Sequence, residues 1–149
     1  MEETILQKLR QEHRGVEAIM AQIEACEDRQ KKLRLFEQMK DELIPHMEGE
    51  ERTLYAKLRN DVHQELAEDI AEDASDEHRE VKDIIRKLEG QDVNSSEWDR
   101  IFHSLKEHIR FHVAEEESEL FEEAKEDFSR EELIEIANEF EEVKSHIHH

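Results

Sequence analysis

Apolar residues along this chain recur at alternating steps of three and four, the period that lines one face of an α-helix. Leu6, Leu9, His13, Val16, Met20 and Ile23 form a first stripe, and Phe36, Met39, Leu43, His46, Glu50 and Leu54 a second. Ala67, Ala71, Ala74, His78, Val81, Ile85 and Leu88 form a third, and Trp98, Phe102, Leu105, Ile109, His112, Glu116 and Leu120 a fourth. Every stripe holds one histidine, and the second and fourth add a glutamate one turn later. Breaks are expected at Glu27 to Lys31, at Asn60-Asp61, at Gly90 to Ser96, where glycine stands past one helix end and serine can cap the next, and at Phe128-Ser129. Ser129 with Glu132 makes a capping box that opens a fifth helix, 130 to about 145, with Leu133, Ile136, Phe140 and Val143 on one face.

The stripes are related in pairs. Glu-His-Arg-Gly-Val-Glu-Ala-Ile at 12–19 returns as Glu-His-Arg-Glu-Val-Lys-Asp-Ile at 77–84, an offset of 65. The pattern His-x-x-x-Glu-Glu-x-x-Leu-aromatic at 46–55 returns at 112–121, an offset of 66. Two segments repeating at nearly one spacing mark a duplicated helical hairpin, about 3–60 and about 62–127. If successive helices run antiparallel with their histidines at one level, the sequence midpoints between histidines must fall in the connections. They fall near 29–30, 62 and 95, in or beside the expected breaks. The reading is all-α: an antiparallel up-down-up-down four-helix bundle over about 3–127 with an additional C-terminal helix, in one domain, 1–149.

Composition agrees. Three glycines and one proline leave few turns for a many-stranded sheet, while Leu, Ile, Val and Phe, 36 of 149 residues, suffice for a thin core. The 42 acids against 21 Lys and Arg give a net charge of −21, which disfavours nucleic acid and anionic membrane surfaces as partners. No apolar run approaches a membrane span, the first ten residues lack the pattern of a signal peptide, and Cys26 is a single cysteine that reads as a packing residue in a reducing compartment. A cytoplasmic protein is expected. Ten histidines are more than composition explains; three belong to the terminal stretch His146-Ile147-His148-His149, which is set aside as a chain end.

The other histidines carry the chemistry. A carboxylate in a bundle core is costly unless a positive charge compensates it. On a surface, His-x-x-x-Glu is an ordinary i, i+4 contact. Here the pair occurs twice, at His46/Glu50 and His112/Glu116, facing two further core histidines, His13 and His78. Imidazole and carboxylate together suit iron, and six donors crowd a single tetrahedral site, so two metal ions are favoured over one. Four histidines and two bridging glutamates leave positions open for a bridging oxygen species and a small exogenous ligand.

These residues resemble the hemerythrin-like proteins with a His-His-Glu cation-binding domain, over about 3–127. The family's order, one histidine, His-x-x-x-Glu, one histidine, His-x-x-x-Glu, is met by His13, His46 with Glu50, His78, and His112 with Glu116. The resemblance implies a non-haem diiron centre bridged by Glu50 and Glu116. The sequence departs from the five-histidine oxygen carriers: Lys82 stands four after His78, and Glu117 five after His112. A possible fifth histidine is His108, one turn before His112, although Ile109 fits the inward stripe better. Glu51 and Glu117 are expected in solvent or beside the site, and His63 and His103 in solvent; Tyr55 and Phe121 are expected to close the bundle as packing, with a phenol near iron able to carry an electron as the alternative for Tyr55. The functional expectation is a metal-binding protein that binds or senses dioxygen, peroxide or nitric oxide at two iron ions. The alternatives are a diiron oxidoreductase that detoxifies peroxide or nitric oxide, and an iron-buffering or structural bundle. The C-terminal helix is expected to pack on the bundle or on a partner chain, the latter as a homodimer.

Overall fold

The computed structural model describes residues 2–147, so Met1 and the tail residues His148 and His149 lie outside the described residues. Five helices succeed one another, and among the described residues there is no strand. Helix α1 is Ile5–Ala25; the Thr4 hydroxyl accepts from the Gln7 N–H while the Gln7 side chain accepts from the Thr4 N–H, closing a capping box. Helix α2 starts under an Asp28 cap as Arg29–Glu50, widens into a π-helical turn at Glu51–Tyr55 and ends as Ala56–Asn60. Helix α3 is Glu65–Glu89. Helix α4 repeats the plan of α2: a Ser95 cap, Ser96–Glu115, a π-helical turn at Glu116–Leu120, then Phe121–Asp127. Helix α5, Arg130–Ser145, opens on the Ser129/Glu132 capping box.

The connections are short, so consecutive helices are antiparallel neighbours. Helix α1 packs on α2 and α3 on α4, while α5 lies across α1 and α2. Leu133, Ile136, Ala137 and Phe140 bury the apolar face of α5 on its own bundle. The approach is close at Gly49, where an added Cβ would sit 2.6 Å from the Phe140 ring. No helix among the described residues is long and apolar enough to cross a membrane.

The apolar interior is divided in two. Around Ile19, Met20, Phe36, Met39, Ile85, Trp98 and Leu105 one cluster fills the end of the bundle that holds the α1–α2 and α3–α4 connections. The second gathers Ile5, Leu9, Leu54, Leu58, Ala71, Phe121, Ile136 and Phe140 at the other end, beneath α5. Between them lies a slab of buried polar side chains from all four bundle helices: His13, His46, Glu50, His78, His112 and Glu116.

The π-helical turns are the departure from the uniform helices expected of the sequence. Each inserts one residue, which rotates the downstream residues by about 100° around the helix axis. Adjacent residues Leu54 and Tyr55 are therefore both fully buried, as are Leu120 and Phe121. A hydroxyl supports each distortion by donating to a carbonyl four residues back, Thr53 to Gly49 at 2.7 Å and Ser118 to Ala114 at 2.7 Å.

Candidate metal centre

The six inward residues form two groups of four donors. His13 and His46 face Glu50 and Glu116 on one side, and His78 and His112 face the same two glutamates on the other, each group's donor atoms within 4.8 Å of one another. Glu50 Oε1 lies 3.1 Å from His46 Nε2 and 3.2 Å from His78 Nε2. Glu116 sets Oε1 3.1 Å from His13 Nε2 and Oε2 3.3 Å from His112 Nε2. Each glutamate thus spans both groups. On the second side, the Nε2 atoms of His78 and His112 are only 3.1 Å apart.

Polar atoms that are buried should be paired, and these are not. His13 Nε2, both oxygens of Glu50 and Glu116 Oε1 have no hydrogen-bond partner, although His13 Nε2 and Glu116 Oε1 lie 3.1 Å apart and Glu50 Oε1 lies 3.1 Å from His46 Nε2. The contacts are close without the alignment of hydrogen bonds. Donor atoms of a first-row ion in octahedral geometry, each about 2.1 Å from the ion, lie about 3 Å from their neighbours. The spacings here match that value, and the residues fit a pair of cations.

A second ring of carboxylates sets the histidines. His13 Nδ1 meets Glu117 Oε2 at 2.7 Å, His46 Nδ1 meets Glu12 Oε1 at 2.8 Å, His78 Nδ1 meets Glu51 Oε2 at 2.6 Å, and His112 Nδ1 meets Glu77 Oε1 at 2.7 Å. The arrangement is cyclic, each helix supplying the carboxylate that holds the histidine of the next. An ionised carboxylate only accepts, so Nδ1 donates, and in a neutral ring the Nε2 lone pair faces the centre. Glu12 is also bonded by Lys144 of α5, Glu51 by Ser75 at 2.7 Å, and Glu117 lies 3.9 Å from Arg10.

Electrostatics of the chain by itself point the same way. Burial works against the protonated imidazole of His46, but Glu50, Glu12 and Glu116 outweigh it and push the group up to about 10. His112 is likewise pushed up to about 10, burial being outweighed by Glu116 and Glu77. His13 and His78 are raised for the same reason. Burial would lift the Glu116 carboxyl, yet its contacts with Glu50, His112 and His13 hold it well below the usual range. The slab demands positive charge, which protons or cations can supply.

Tyr55 packs in the core as expected, fully buried, and its hydroxyl does more than pack: it donates to Glu116 Oε2 and sets Oη 3.4 Å from Nε2 of both His78 and His112. Burial, with Glu116 and Glu50 nearby, raises the phenol well above its ordinary value and keeps it protonated. His108 does not join the cluster. Ile109 takes the inward phase of α4, and His108, about 100° behind it, is exposed with its Nδ1 donating to the Ser104 carbonyl at 2.9 Å. His63 and His103 are exposed. Glu12 and Glu77 were missed, and their signal was the glutamate preceding the histidine in each copy of the Glu-His-Arg repeat.

Beside the imidazoles lies a small cavity of about 20 Å³, bounded by His13, His46 and His112 and otherwise by Val16, Leu43, Met47, Val81, Ile109 and Val113. It has room for about one water-sized molecule and no polar group on its far wall.

Known proteins are similar to this chain. A protein of Nostoc sp. described as a DNA nickase is 27% identical over 139 residues, 93% of this chain and 38% of that protein. An uncharacterised hemerythrin-like protein of Schizosaccharomyces pombe is 27% identical over 136 residues, 91% of this chain and 66% of that protein. The chain thus spans only part of either curated relative. The crystal structure of a hemerythrin HHE cation-binding domain-containing protein from Mycobacterium kansasii has the same fold, with a TM-score of 0.81 over 96% of this chain and 88% of that one at 20% identity. The hemerythrin HHE cation-binding domain matches residues 4–124, and the chain belongs to that family.

Proposed function

We propose that the chain holds two iron ions in its central slab and binds or senses a small ligand there, such as dioxygen, peroxide or nitric oxide. The observation that carries this reading is the pair of four-donor groups sharing Glu50 and Glu116. His13 and His46 would hold one ion, His78 and His112 the other, and the two glutamates would bridge them. Two such ions supply paired one-electron redox chemistry and open positions for a ligand. The protein's part is to keep each Nε2 facing inward through the Nδ1 bonds, to exclude water with the apolar ends, and to hold a proton on Tyr55 Oη against Glu116. The cavity beside the histidines favours a neutral diatomic over an organic substrate, because it is small and its far wall is aliphatic.

Tyr55 favours an oxidoreductase as the second reading, since its hydroxyl places a transferable proton at the centre. Nicking is left with the Nostoc protein. This chain covers 38% of that protein, and a net charge of −21 repels a phosphate backbone. Anaerobic reconstitution with ferrous iron tests the proposal: about two irons per chain are expected, with ligand-to-metal absorption after oxidation in the presence of azide. Binding of about one iron or none overturns it. Peroxide consumption faster than free iron achieves would favour the oxidoreductase.

A further inference from the structure

The duplication supplies an internal control for the surroundings of the centre. Its two halves present equivalent faces to solvent, one between α1 and α2 and one between α3 and α4. Helix α5 covers the first, setting Phe140 against His46 and Lys144 on Glu12. Over the second there is instead an open cleft of about 460 Å³. Its floor includes His112 and Glu116, two buried members of the donor set. The cleft therefore reaches the centre itself.

The residues lining it differ from their repeat-mates in one direction. At the offsets of 65 and 66, Lys8, Gly49 and Thr53 on the covered face correspond to Asp73, Glu115 and Glu119 on the open one, and Gly15, which α5 does not touch, corresponds to Glu80. Among the described residues none of these four acids has a cationic partner, and no Lys or Arg lines the cleft. Glu77, which holds His112, also lines it, and unlike Glu12 it has no lysine upon it. Covering α1–α2 needs small or basic positions against a helix. Nothing in packing requires four unpaired acids at the matching positions, and their mutual repulsion is a cost.

We infer that the α3–α4 cleft is the loading vestibule of the centre, where Asp73, Glu80, Glu115 and Glu119 collect hydrated divalent cations and pass them by Glu77 and His112 to Glu116. The inference rests on the proposed metal centre and adds the route. Hydrated cations lose water stepwise to carboxylate oxygens in the cleft, so the buried slab need not open. A like-charged concave wall raises the local cation concentration, which speeds association by about 10- to 1,000-fold and weakens with salt. Neutral ligands gain nothing from it.

Stopped-flow uptake of Co²⁺ by the metal-free full chain, followed by its visible absorption, tests this. The variant D73N/E80Q/E115Q/E119Q should take up metal about tenfold more slowly at low ionic strength, with less dependence on salt than the unaltered chain and the same final stoichiometry. A control with four acids neutralised on α5, E131Q/E135Q/E139Q/E142Q, should load at nearly the unaltered rate. Circular dichroism of both variants verifies folding. Equal rates for all three chains, or equal slowing of both variants, overturns the vestibule while leaving the metal centre standing. Failure of the unaltered chain to bind Co²⁺ overturns the centre and the vestibule together.

Discussion

The carboxylates behind the histidines do more than fill the rim of the slab. Glu12 and Glu77 occupy equivalent places in the two halves, each holding the histidine of the following helix through Nδ1. Removing their charge should lower metal affinity by about 10- to 100-fold in E12Q and in E77Q, because the imidazole loses orientation and basicity while remaining present. Competition against a chromophoric chelator measures this, and unchanged affinity in both variants would show that the carboxylates do not set the rings. Tyr55→Phe addresses the chain without metal. Glu116 Oε2 would lose the donor that satisfies it in a buried site, at a cost of about 1–3 kcal/mol, so urea unfolding of the metal-free variant should shift to lower denaturant. An unshifted midpoint would mean that the phenol merely packs. The six inward positions were legible because histidine and glutamate interrupt otherwise apolar stripes. The Tyr55 hydroxyl was not, since an aromatic residue on a core face looks the same whether its hydroxyl is used or idle.

Helix boundaries were legible because their signals are local: Asp28, Ser95 and Ser129 cap the helices that begin after them, and Gly90 stands just past the end of α3. The duplication fixed the hairpin pairing by the same local means. The π-helical turns were not legible, since Thr53 and Ser118 look like ordinary polar residues. The docking of α5 was only half legible: its apolar face was plain, whereas its seat on α1 and α2 depends on a glycine. A Cβ at Gly49 would meet two ring atoms of Phe140 at 2.6 and 2.8 Å, and Phe140 is fully buried beside His46. Alanine improves helix propensity by about 1 kcal/mol, yet overpacking costs about 1–3 kcal/mol, so G49A should be destabilising, and its added penalty should shrink in an F140A background even though F140A is itself destabilising. At Gly15 the nearest atom to an added Cβ is Glu42 Oε1 at 3.7 Å, an ordinary contact. G15A should therefore gain stability by up to about 1 kcal/mol. Thermal unfolding of the two variants decides the point, and stabilisation by G49A would show that α5 is not held against α2 as described.

At the scale of the molecule, the balance is between a slab that needs positive charge and two apolar ends that shut out water. For the metal-free chain, protons on the histidines meet that need. His46 and His112 titrate near 10 in the folded chain, against about 6.5 when unfolded, so between these limits the folded state binds more protons than the unfolded one. Stability must then fall as pH rises. The contribution is complete below about pH 6.5 and is lost progressively up to about pH 10. Few other groups interfere, because ordinary carboxylates are already ionised at the lower limit and lysines begin to titrate only at the upper. Bound cations would change the result: they would take the place of the protons on Nε2, bind more tightly as protons become scarce, and tie the two apolar clusters together through the slab. The metal-free chain should lose thermal stability steadily from about pH 6.5 to about pH 10, whereas the metal-loaded chain should hold nearly level, and the gap between the two melting curves should widen with pH. A metal-free chain as stable at about pH 9.5 as at about pH 6.5 would show that Glu50 and Glu116 are not balanced by charged histidines, and that the slab is built on some other pairing.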